Sequence, residues 1–287
     1  MKTNTGVWGA FVSLTKPGLA LMLVITTGIG FYLATNDVDF GLLIHTLVGT
    51  MLAAGGTLAL NQYMERDRDA MMRRTRQRPL PAGLLTPNQA LWFSLLTSAV
   101  GLGYLALIVN TLSAAVTGAI TATYLLVYTP LKHRTTLATV AGAIPGALPP
   151  VTGWTAVRGE IEVEAIVLFL IMFLWQLPHA LALAWVFRED YERAGFYLLP
   201  AVDPDGRITS VQIFVNCMAL SALSLLPTLI GLTGMGYFYT ALTTGLVLSG
   251  FAVHLVFTRS IISARRLFFA TLGYLVILFT AMAVDKV

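Results

Sequence analysis

Again and again between Pro17 and Val284 the chain runs for about twenty residues with hardly a charge. Nine such stretches can be read, roughly 17 to 35, 40 to 62, 89 to 108, 112 to 131, 138 to 156, 164 to 187, 209 to 231, 237 to 257 and 267 to 284. A helix needs about 20 apolar residues to cross a hydrocarbon core about 30 Å thick, where no water satisfies exposed backbone groups. The repetition predicts an all-α fold: a polytopic membrane bundle of nine transmembrane helices in a single domain, residues 1–287, with a central cavity capped by two cytoplasmic polar loops. Composition agrees, since 11% of residues are charged and 56% hydrophobic, with a mean hydropathy of +0.77. A soluble domain carries about 25% charged residues. Nothing sizeable is left over to form one.

Charge sets the orientation. With the N-terminus in the cytoplasm, every one of the 18 basic residues falls on the inner side except Arg158 and Lys286. That bias is the one expected of an integral membrane protein whose N-terminus and polar loops are cytoplasmic, and the plasma membrane is its expected location. The pI near 9.3 then reflects short loops rather than a basic folded face, and no nucleic acid partner is expected. The N-terminus lacks a basic cluster leading into a short apolar core and a small-residue cleavage site, so no removable signal peptide is expected. Cys217, the sole cysteine, rules out disulfides within the chain and cysteine metal clusters, and reads as a small buried hydrophobe.

Two inner connections, 63 to 88 and 188 to 208, are longer and more polar than the rest. They follow the second and sixth spans, an offset that suggests a parallel internal repeat with a site between its halves. The first continues the run NQYMERDRDAMMRRTRQRPLPAG, residues 61–83, which holds three acids and six arginines. Asn61, Glu65 and Asp69 recur at i, i+4 and i+8, along one helix face. Such a stripe at the apolar end of a helix is costly unless a cation binds it. Arg73, Arg74, Arg76 and Arg78 follow directly. Carboxylates beside guanidiniums describe a metal-bridged diphosphate, because magnesium takes one or two protein carboxylates together with phosphate oxygens and water. The competing reading is a salt-bridged loop obeying the positive-inside bias; the ordered stripe favours the site.

The second connection offers Glu189, Asp190 and Glu192 between Arg188 and Arg193. Helical spacing lets Glu189 pair with Arg193, which leaves Asp190 as the stronger metal candidate. In the sixth span, Trp175, Gln176, Pro178 and His179 place polar groups deep in an apolar run, with His179 eleven residues before Asp190 and so nearly on one face of an unbroken helix. A cavity is expected there, against the alternative of a helix-packing hydrogen bond from His179. In the fourth span Tyr124, Tyr128 and Lys132 are spaced i, i+4, i+8. Aromatic faces below an ammonium suit a carbocation and its departing anion; Tyr128 and Lys132 are read in that role, and Tyr124 as part of an aromatic belt. Lys16, at the start of the first span, is read as a contact to phosphate or propionate, or as an interfacial anchor.

The 61–83 run resembles the first acidic motif of the UbiA superfamily of intramembrane prenyltransferases. LTKPGL at 14–19, YTPLKHRT at 128–135, GALPPVTGW at 146–154, WQLPHALALA at 175–184 and DYERAGFYLLP at 190–200 are similar, in order, to its heme-prenylating branch. Val186 stands where the wider superfamily has a second aspartate, four before Asp190. Pro and Asn expected after the first threonines of HRTTLATVAGA are absent. The resemblance implies magnesium-dependent transfer of a farnesyl group from farnesyl diphosphate to the 2-vinyl group of heme B, with addition of water. It implies metal ligation by Asn61, Glu65, Asp69 and Asp190, and leaving-group stabilisation by Lys132, Tyr128, Arg73, Arg74 and Arg78. Heme contacts are implied for Trp175, Gln176 and His179, the last to the porphyrin, its iron or the added water. The partners implied are the two substrates, the lipid bilayer, and heme A synthase or oxidase assembly proteins. The alternatives are a UbiA-type enzyme for an aromatic quinone precursor and a non-catalytic transporter or heme scaffold.

Overall fold

The structure, a computed structural model, describes residues 6–287; Lys2 lies outside them. Among the described residues there is no strand, only an isolated bridge between Thr233 and Lys286. The helices are α1 (Val7–Leu14), α2 (Pro17–Leu33) and α3 (Phe40–Asp69). There follow α4 (Pro87–Val109) and α5 (Thr111–Leu131), then α6 (Ala138–Ala147), α7 (Pro149–Arg158) and α8 (Val163–Val186). The short α9 (Arg188–Arg193) and α10 (Leu199–Val202) lead to α11 (Arg207–Leu229), α12 (Met235–Thr258) and α13 (Ile261–Val284).

The nine equal spans expected from hydropathy reduce to seven single helices long and apolar enough to cross a bilayer, namely α3, α4, α5, α8, α11, α12 and α13. The first expected span begins earlier than its apolar run, as α1 and α2 bent by 44°, and counts as an eighth if the pair is taken together. Lys16 sits at the bend with φ 48°, in the left-handed region. Pro17 explains the break: a residue before proline is steered away from the right-handed helical region, whereas proline itself suits the first helical position. The stretch 138–156 departs most. It forms two helices of 10 residues each, α6 and α7, and each reaches only about half the hydrocarbon thickness. Pro149 and Pro150 lack the N–H groups that would bond back to Pro145 and Gly146, so the ladder stops there.

α3 is the element that positions everything else. Its 30 residues make a rod about 45 Å long, so its last turns must project beyond a core of about 30 Å. Asp39 caps its start by accepting from the Leu42 N–H at 3.0 Å. Gly49, Ala53 and Gly56 let α4 approach closely: a Cβ at Gly56 would meet Ser98, and one at Gly101 would meet the Ala53 backbone. Small residues serve this purpose in lipid, where helices associate by packing rather than by escaping water. α2 and α7 cross as tightly, with Gly30 against the Pro150 backbone and Gly153 against Thr27. The main core lies among α7, α8, α11, α12 and α13, around Trp154, Trp175, Trp185, Tyr237 and Tyr274. A smaller one gathers Met72 from the first polar loop, Ala194, Phe196 and Leu198 from the second, and Ala138 and Ala184 beneath them. The two loops thus meet at one place.

Candidate active site

Asn61, Glu65 and Asp69 are each at most 5% exposed at the projecting end of α3. Each is met by a cation from a different part of the chain. Lys16 Nζ donates to Asn61 Oδ1 at 3.2 Å, Lys132 Nζ to Glu65 Oε1 at 3.0 Å, and Arg78 Nη1 to both Asp69 oxygens at 2.7 Å. Asn61 also donates from Nδ2 to Thr129 Oγ1 at 3.1 Å. Three cations therefore face two carboxylates that are themselves almost wholly buried. Lys16, at the left-handed bend before α2, turns its ammonium toward the stripe.

Lys132 lies 4.3 Å from the Tyr128 ring centroid and 6.0 Å from that of Tyr124. The even i, i+4 spacing expected for these tyrosines is not kept, because residues Thr123–Tyr128 are wound as a π-helix. The wider turn seats the two rings 5.3 Å apart, both beside the ammonium. Burial alone would lower the pKa of Lys132, but Tyr128 and the Glu65 carboxylate outweigh it and hold the group above the ordinary lysine range. It stays charged. His133, next along, is pushed below the usual histidine range by burial and by Arg68, and its ring packs tilted against Phe196 with centroids 4.7 Å apart.

The first polar loop folds as successive turns anchored by Thr75, whose buried hydroxyl donates to the Asp69 carbonyl at 2.8 Å. Arg74 Nη2 reaches Tyr191 Oη at 3.1 Å and lies over the Phe187 ring at 5.1 Å. Arg73 and Arg76 are exposed. Asp190 sits in a network between the two loops. It is held by Arg193 at 2.9 Å and accepts the Arg73 N–H at 3.4 Å, and no hydrogen bond joins it to the stripe. Arg193 thus pairs with Asp190, at i, i+3 within α9, rather than with Glu189 at i, i+4. One residue with no part in the sequence reading ties the loops together: Arg68 Nη1 donates to the Ala194 carbonyl at 2.9 Å and to Gly195 at 3.2 Å. Its only sequence signal was a position off the acidic face, pointing toward a neighbour.

The expected heme-side residues lie in a second environment. His179 Nδ1 is 2.9 Å from Thr271 Oγ1, and its ring stacks between Trp175 and Phe268 at 4.6 and 4.7 Å. The Trp175 indole N–H donates to the Thr271 carbonyl at 2.7 Å. Gln176 packs against Gly146. The helix-packing bond weighed against a cavity is therefore present for His179, and Trp175 spends its only donor on α13. Pro178 does not break α8, which runs on to Val186.

Residues 23–278 match the model of the UbiA prenyltransferase family. The chain belongs to that family. As a UbiA enzyme it is an intramembrane prenyltransferase, and its similarity to curated members is high over nearly the whole length. It is 42% identical to the protoheme IX farnesyltransferase of Solibacter usitatus (strain Ellin6076), covering 96% of this chain and 98% of that relative. It is 41% identical to the protoheme IX farnesyltransferase of Myxococcus xanthus (strain DK1622), covering 96% and 94%. Among solved structures, a digeranylgeranylglyceryl phosphate synthase superposes with a TM-score of 0.82 at 16% identity, over 97% of this chain and 98% of that one. A UbiA homolog from Archaeoglobus fulgidus bound to GPP and Mg2+ gives 0.69 at 14%, over 96% and 99%. These structures share the UbiA fold with this chain.

Proposed function

We propose that this UbiA enzyme transfers a farnesyl group from farnesyl diphosphate to a vinyl group of heme B, with the stripe and its cations on the cytoplasmic face of the plasma membrane. The observation that carries the diphosphate half is that three partly buried cations gather on two buried carboxylates at the end of α3. Buried ion pairs gain little net stability, because desolvation offsets most of their attraction. Their value here lies in exchange: Lys132, Arg78 and Lys16 can leave the stripe for phosphate oxygens when the substrate arrives. The heme half rests on the curated relatives' names and on the blocks shared with that branch.

The donor set fits a hard cation that comes with the diphosphate. Glu65, Asp69 and the Asn61 side-chain oxygen are hard donors on one face, and two carboxylates are what magnesium takes when phosphate and water complete its shell. Among the described residues no group of three or more acidic, histidine or cysteine side chains could hold a metal unaided, so the substrate supplies the remaining ligands. A bound magnesium ion would add charge neutralisation on the diphosphate.

This chain's residues then account for the chemistry as follows. The bond between farnesyl carbon and diphosphate oxygen breaks, its electron pair leaving on an oxygen held by Lys132 and Arg78. The allylic cation forms against the faces of Tyr128 and Tyr124, away from bulk water that would quench it. The vinyl carbon donates its π electrons to the farnesyl carbon. The new cation beside the porphyrin takes a water oxygen, and a proton is lost. Asp190, already engaged by Arg193 and the Arg73 backbone, acts as a clasp between the loops. His179, Gln176 and Trp175 shape the acceptor side.

The test is an assay in native membranes with farnesyl diphosphate, heme B and magnesium, comparing wild type with Asp69→Ala and identifying porphyrin products by mass. A hydroxyethylfarnesyl product from wild type that disappears in the variant is the expected outcome. Release of diphosphate with heme unchanged would mean a different acceptor.

A further inference from the structure

The lipid-facing side of the last two helices carries a groove of about 560 Å³ between α12 and α13. On α13 it is lined by Arg266, Phe269, Gly273 and Ile277, at helical spacing along one face. Its surface is hydrocarbon. Polar groups along it are already used internally, Thr243 and Thr244 by carbonyls of their own helix and Tyr274 Oη by Ser224 at 2.7 Å. Gly273 deepens it, since a Cβ there would meet nothing within 4 Å.

Two features say what fills it. Arg266 stands at the end nearest the membrane face that holds the acidic stripe, with no carboxylate paired to it among the described residues. Arg265 and Arg259 are exposed in the same region. A guanidinium at that level matches the phosphate of an anionic lipid. The groove also has the right length. From Arg266 to Ile277 is eleven residues, about 16 Å of helix, against a single leaflet of about 15 Å. We infer that this groove is a binding site for one anionic phospholipid, its phosphate on Arg266 and one acyl chain along Gly273.

Reconstitution of the full chain in nanodiscs of equal phosphatidylglycerol and phosphatidylcholine, followed by native mass spectrometry, tests this. Wild type is expected to retain one phosphatidylglycerol after the bulk lipid is stripped. Arg266→Gln should lower the retained ratio of phosphatidylglycerol to phosphatidylcholine roughly fivefold, the worth of one arginine at a lipid surface. Gly273→Leu should abolish retention by filling the groove. Both variants should keep wild-type prenyl transfer, which controls for folding. Equal retention of the two lipids by wild type, or retention by Gly273→Leu at the wild-type level, would overturn the inference. So would a dimer of the chain that is lost in Gly273→Leu, which would make a second copy the occupant.

Discussion

Glu65–Lys132 and Glu162–Arg158 are ion pairs of nearly equal length, 3.0 and 2.8 Å, at opposite ends of the bundle. Only the first is buried, its side chains 6% and 11% exposed against 25% and 47% in the second. The first also joins residues 67 positions apart, one on α3 and one just past the end of α5, whereas the second spans four residues between the end of α7 and the start of α8. An exposed local pair can be lost with little consequence, because water and salt replace each partner. A buried pair binds two helices and leaves an unsolvated charge when either member goes. Of these two pairs, the one that is costly to bury stands at the end that holds the acidic stripe.

The largest expected effect is on Lys132. Lys132→Met should cut prenyl transfer by about 10² to 10³, as loss of one group stabilising a developing anion does, and should destabilise the fold by about 3 kcal/mol by stranding Glu65. Pairing it with Glu65→Leu separates the two: thermal stability should return while activity stays lost. Recovery of activity in the double variant would show that the pair is only structural. Arg68→Ala comes next. Without its bonds to the Ala194 and Gly195 carbonyls, amide exchange across 188–206 should quicken, and KM for the diphosphate should rise about tenfold, as for loss of a charged hydrogen bond. An unchanged exchange pattern would mean that the loops hold together through Phe196 and Met72 alone. The smallest effect belongs to Glu162. Its carboxyl is held below the usual range by hydrogen bonds from Arg158, so its contribution is present above a pH of about 4.3 and fades as pH falls further. Glu162→Gln should match wild type in activity and lower the melting temperature only slightly at neutral pH, the difference vanishing in acid as the wild-type carboxyl protonates; a large loss of stability at pH 7 would break the contrast.

Hydropathy located the helices because lipid leaves a chain few alternatives, and i, i+4 spacing located the stripe because α3 continues straight through it. What stayed hidden has local or tertiary causes. The break at Pro149 hides inside an apolar run, since proline is apolar enough to pass as part of a span. The π-turn at Thr123–Tyr128 changes which face Tyr128 presents without changing any residue. The reach of Lys16 and the bonds of Arg68 depend on where separate elements come to rest, while the choice of Asp190 over Glu189 by Arg193 is a local one between i, i+3 and i, i+4 partners on the same short helix. His179 and Trp175 show the same limit, because Thr271, which both engage, lies more than ninety residues away on another helix.

Since α3 is one unbroken rod from Asp39 to Asp69, the depth of its carboxylates cannot be set independently of its apolar half. A thicker bilayer draws the helix upright and submerges the stripe; a thinner one tilts it and lifts the stripe toward water. On the proposed reading, the height of Asp69 relative to the lipid headgroups is therefore coupled to the thickness of the surrounding bilayer.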